Sequence, residues 1–188
     1  MDDGGRWQRL FTDLEHELDG IAASERTAEA GVRARIDTGR LTFAERIAAG
    51  RGTRAGLALP GLRVEGLLVD SGPDWVLVAG TCSYLAALDA VLWIDGLTAP
   101  AAAPPLPEGT AGRFDLRMCL RRLARERVPV VIFLCDRTSH GGTLDRVGAD
   151  HVDLAVHAPD EPRRASAVRG VRCVPTSALA AVRLGVSP

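Results

Sequence analysis

The chain carries one segment twice, and no other feature limits its possible folds as much. Offset by 76 residues, Phe43–Val78 aligns with Cys119–Leu154 without a gap. Arg46 falls on Arg122, Ala48 on Ala124, Gly66 on Gly142, Leu68 on Leu144, Gly72 on Gly148, Asp74 on Asp150 and Val76 on Val152. With one further shift, Leu88-Asp89-Ala90-Val91 matches Leu179-Ala180-Ala181-Val182, which places an insertion of 15 residues in the second copy, around Ala158–Arg172. The ordered run of Gly, Leu, Gly, Asp and Val predicts two equivalent supersecondary units.

Each copy has a coherent local physics. Leu41–Ala49 and Phe114–Arg127 show helical spacing, with Leu116, Leu120 and Leu123 on one face. Extended segments follow at Arg54–Leu59 and Val130–Cys135, the second rich in β-branched residues. Leu62–Val69 then alternates Leu62, Val64 and Leu68 with Arg63 and Glu65. Gly66 and Gly142 fall inside strands, where glycine marks a bulge or the sharp bend of a small barrel. Gly72-Pro73-Asp74 and Gly148-Ala149-Asp150 predict tight turns into Trp75–Val78 and His151–Val156, so Asp74 and Asp150 are read as turn formers rather than catalytic acids.

The expected fold is therefore α+β, mainly β. An N-terminal amphipathic helical segment (1–40) precedes a helix-led β module (41–97). A Pro/Ala-rich linker (98–112) leads to a second helix-led module carrying the inserted loop (113–188). Each module is expected to close as a small bent barrel.

A helix followed by short, bent strands resembles the Sm-like fold. The resemblance rests on Val64-Glu65-Gly66-Leu67-Leu68, on the matching His140–Leu144 and on the leading helices, and it covers residues 41–94 and 115–184. Ile94-Asp95-Gly96 resembles the Ile-Arg-Gly of the second Sm motif, with Asp in place of Arg. The tandem layout is also similar to a protein family of high-GC actinobacteria. What the resemblance implies is a pair of SH3-like barrels that associate through strand edges, with single-stranded RNA bound by loop residues. The family's RNA-contacting Asn has no counterpart here, because the chain contains no Asn.

Two groups of residues are candidates for binding. Trp7, Phe11, Leu14, Leu18 and Ile21 recur at steps of four and three, a heptad-like seam suited to packing in cis, dimerisation or partner binding. If Val76 and Val78 point inward, Trp75 and Leu77 face outward and must meet the N-terminal helix, the other module or a partner. Trp7, Phe11, Leu14, Trp75 and Leu77 are thus the candidate partner-binding residues. The alternative set is basic. Arg117, Arg121 and Arg125 form a stripe at i, i+4 and i+8 with Arg122 beside it, and the insertion adds Arg163 and Arg164. These could attract nucleic-acid phosphates; they could equally be a solvated face in a chain whose 23 basic residues are all Arg.

The catalytic inventory is short. Absence of Lys excludes P-loop, Schiff-base and kinase-type lysines, and no GxSxG, HExxH or GxGxxG occurs. Cys135, His140, His151, His157 and Cys173 are spaced 5, 11, 6 and 16 apart, which fits no zinc-ribbon or finger pattern. Cys82, Cys119, Cys135 and Cys173 read as reduced thiols. No catalytic residue, cofactor or metal is assigned. A net charge of −1, an acidic start without a signal-peptide pattern and no apolar run near ~20 residues lead to the expectation of a cytoplasmic protein without a membrane partner. The function expected is a non-catalytic scaffold for protein interaction or self-association, with nucleic-acid binding as the alternative.

Overall fold

The structure, a computed structural model, describes residues 41–97, 114–158 and 168–185. The elements within them belong to one compact unit. In chain order they are α1 (Phe43–Ala49), β1 (Arg54–Leu59), β2 (Leu62–Ser71), β3 (Trp75–Ala79), β4 (Ser83–Ala87) and β5 (Trp93–Asp95), then α2 (Leu116–Glu126), β6 (Pro129–Leu134), β7 (Ser139–Val147), β8 (His151–Val156), β9 (Gly170–Pro175) and β10 (Leu179–Leu184). A short 3-10 turn lies before the last strand of each copy, at Leu88–Ala90 and at Thr176–Ala178. The mainly β expectation holds. Separate closed barrels are not what forms: one open, ten-stranded sheet runs β5-β1-β2-β3-β4-β10-β6-β7-β8-β9 through both copies, with every pairing antiparallel.

The repeat is visible residue by residue. Both copies have the order fifth, first, second, third, fourth strand. The pairing of the second and third strands shifts register between Leu68 and Asp70 in the first copy, and between Leu144 and Arg146 in the second. A Cβ on Gly66 would run into the Ala79 carbonyl, and one on Gly142 into the Ala155 carbonyl. The strand glycines thus allow a close backbone approach that any side chain would block. The second alignment shift is corrected. Leu88 N–H bonds to Asp74 O at 2.9 Å and Thr176 N–H to Asp150 O at 2.7 Å, so Leu88 corresponds to Thr176 rather than Leu179. The insertion is accordingly three residues shorter than the sequence comparison gives.

Local chemistry explains the helix starts. Thr42 and Glu45 form a reciprocal capping box on α1. Asp115 caps α2 by accepting from Met118 N–H at 2.8 Å. In β2 burial alternates, with Val64 and Leu68 inside and Arg63 and Glu65 outside, as a half-covered strand requires. The interior is continuous between copies: Ile47, Leu57, Leu68 and Val76 belong to the same cluster as Leu120, Ile132, Leu144, Leu154 and Val182. Among the described residues no helix is long and apolar enough to cross a membrane.

Candidate functional site

The most developed polar and apolar architecture lies where the copies meet. β4 pairs with β10 in the register Ala86↔Ala181, Leu85↔Val182, Tyr84↔Arg183 and Ser83↔Leu184. The rings of Tyr84 on β4 and Phe133 on β6, the strands flanking β10, lie 6.2 Å apart. Two side chains of the first copy fasten the second. Asp74 accepts from Leu116 N–H at 2.8 Å, adding a second cap to the start of α2. Trp75 donates its indole N–H to Phe114 O at 2.7 Å. Burial raises the Asp74 carboxyl above its ordinary range, opposed by the bond from Leu116.

Trp75 is therefore not an outward-facing binding residue. It is only 5% exposed, and of the three neighbours expected for it the other module is the one it meets. Leu77 is half-buried and packs against the core. The outward reading failed because it assigned β3 only one covered face. Val76 and Val78 fill the other, so both faces are buried. Trp7, Phe11 and Leu14 lie outside the described residues.

The basic stripe is partly committed. Arg117 bonds to the Asp115 carboxylate at 3.3 Å and to Ala149 O at 3.4 Å, which ties α2 to the turn before β8. Arg122 pairs with Glu126 at 3.0 Å. Arg121, Arg122 and Arg125 are exposed and share a groove of about 720 Å³ with Trp75, Phe114 and Met118, while Asp70 and Glu126 dilute its charge. Arg163 and Arg164 lie outside the described residues. A second cleft of about 460 Å³ sits at the junction, lined by Asp74, Asp89, Asp115, Arg117, Thr176 and Ser177 among others.

Among the described residues the sheet has two free edges, β5 and β9. Each exposes apolar side chains. Leu92 is 66% and Trp93 46% exposed at one edge, and Val171 is 60% exposed at the other. Arg63 lies over the Trp93 ring at 4.9 Å and pairs with Asp95 at 3.1 Å, which fixes the chemistry of the β5 edge.

The titratable residues sort clearly. His157 is a satisfied core histidine, 3% exposed, with one ring nitrogen 2.7 Å from the Thr143 hydroxyl and the other 2.8 Å from Ala158 O. Burial, reinforced by Asp74, Asp115 and Asp70, pushes the Cys119 thiol up to about 11. His151, Asp153 and Cys173 come together on β8 and β9, their donor atoms within 4.8 Å of one another. Sequence spacing missed this trio because Asp153 was not weighed with the two flanking residues and the insertion separates β9 from β8. The readable signal was His151 and Asp153 two apart in a strand, hence on one face. No protein-family model matches the chain, and no curated protein matches it.

Proposed function

We propose that the chain is a non-catalytic, tandem Sm-like scaffold that self-associates through its two free sheet edges. The observation that carries the reading is the internal β4·β10 junction. β9 occupies in the second copy the place that β4 holds in the first, and β5 occupies the place of β10. The free edges therefore have the same relation to one another as the two strands already paired inside the chain.

The correspondence also gives a register. Ile94 lies opposite Leu57 in the first copy, and Val182 lies opposite the equivalent Ile132 in the second, Leu57 facing Val64 and Ile132 facing His140. Leu85 is equivalent to Cys173, since each faces the matching residue of the preceding strand, Leu77 or Asp153. Copying the junction between chains sets Trp93 opposite Val174, Ile94 opposite Cys173 and Asp95 opposite Arg172. Trp93 with Val174 is an apolar pair and Asp95 with Arg172 a pair of opposite charge, both favourable across antiparallel strands. Backbone groups along an edge strand lack ladder partners, and pairing with another strand satisfies them.

Light scattering across a concentration series tests the reading. Wild-type chain should associate into discrete oligomers. Val171→Glu should raise the association midpoint by roughly tenfold or more, the equivalent of ~1.4 kcal/mol per tenfold. A wild-type chain that stays monomeric at every concentration would end it.

The second reading, nucleic-acid binding, has one observation in its favour: Arg121, Arg122 and Arg125 are exposed along one groove with Phe114 and Met118. It requires salt-sensitive binding that Arg121→Glu with Arg125→Glu weakens. The edge reading is preferred because Asp70 and Glu126 share that groove.

A further inference from the structure

We propose that His151, Asp153 and Cys173 form a transition-metal site on the outer face of β8 and β9, suited to zinc. The donors are an imidazole, a carboxylate and a thiol, the three side-chain types that bind this ion in proteins. Their placement follows from strand geometry. His151 and Asp153 are two apart on β8 and share a face, and Cys173 on β9 is the direct cross-strand partner of Asp153. Donor atoms already lie within 4.8 Å of one another. Metal bonds of about 2.0–2.3 Å in a tetrahedron set ligands roughly 3.3–3.8 Å apart, so side-chain rotation closes the remaining gap.

Two further observations point the same way. Asp150 Oδ1 lies 2.9 Å from His151 Nδ1, the outer-shell carboxylate contact that metal-bound histidines commonly have, and it leaves Nε2 to coordinate. Gly148 makes this ring position possible, because a Cβ there would strike the imidazole.

The first copy shows that the fold itself does not call for these residues. The equivalent positions are Trp75, Leu77 and Leu85, an apolar set with Trp75 and Leu85 at 5% and 4% exposure. Three adjoining core positions have thus become three metal-binding side chains in one copy only. Three protein ligands leave one tetrahedral position for water or another small ligand, the arrangement of open rather than purely structural zinc sites. All three ligands come from one chain.

Cobalt(II) titration of the reduced, metal-free full chain tests the proposal, because a cobalt–thiolate bond gives a charge-transfer band. One equivalent should bind with that band, and zinc should displace it. Cys173→Ser should abolish the band, and His151→Ala should weaken binding by at least about tenfold. Asp150→Asn should keep the band and weaken binding by about 10–100-fold. Cys135→Ser, which removes the other exposed thiol, should change nothing. A folded wild-type chain that gives no thiolate band overturns the site. So does a band that survives Cys173→Ser or disappears in Cys135→Ser.

Discussion

The two copies share a backbone plan but use one patch of it in opposite ways. In the first copy Trp75, Leu77 and Leu85 occupy positions on β3 and β4, and Trp75 reaches across to the Phe114 carbonyl. In the second copy His151, Asp153 and Cys173 take the same positions on β8 and β9, at the end of the sheet. A neighbour makes the difference. Where the second copy lies alongside, the patch is closed and apolar residues gain by burial. Where the sheet ends, the same patch can hold polar donors without a desolvation cost. Turn and bend residues are common to both settings, as Gly66 with Gly142 and Gly72 with Gly148 show.

The largest expected test of this contrast is truncation at the paired positions. Trp75→Ala should cost about 3–5 kcal/mol in urea unfolding, whereas His151→Ala should stay within about 0.5 kcal/mol. Equal losses would contradict the account. The bend glycines should behave alike instead. Gly66→Ala and Gly142→Ala should each cost about 3 kcal/mol, because a carbonyl blocks the new methyl in both. A cost in one copy alone would show that the two bends are not equivalent.

Asp74 sharpens the comparison further, because only the first copy's turn caps a following helix. Asp74→Ala should cost about 1 kcal/mol and Asp74→Asn much less, since the amide oxygen can still accept from Leu116 N–H. The smallest effect is kinetic. Cys119, with its thiol at about 11, should react with an aromatic disulfide reagent far more slowly than exposed Cys135 at neutral pH. Its rate should climb as pH rises toward that value, because the thiolate is the nucleophile. Comparable rates at pH 7 would contradict the burial of Cys119.

Much of each copy was legible locally. Arg54–Leu59 and His151–Val156 are strands with the bounds their sequence implies. Both helices begin where a cap residue, Thr42 or Asp115, stands before them. The shared sheet was not legible, because β4 and β10 meet across just over half the chain and no local pattern records which edges join. Trp75 was misplaced for the same reason: its cover comes from Phe114, outside its own repeat. Leu88 was matched to Leu179 on residue likeness, while the backbone bonds to Asp74 and Asp150 set the correspondence to Thr176. The His151, Asp153 and Cys173 cluster needed the β8·β9 register, which the insertion conceals.

An engineered disulfide probes edge-to-edge pairing most directly. In a Cys135→Ser background, Ile94→Cys should form an intermolecular bond with the native Cys173 on mild oxidation in the presence of a chelator, read as linked chains by non-reducing electrophoresis and mapped by peptide mass. Leu92→Cys, two positions out of register, should link poorly. Absence of the link from position 94 to Cys173, or equal linking from position 92, would contradict pairing of β5 with β9 in the register of the internal junction.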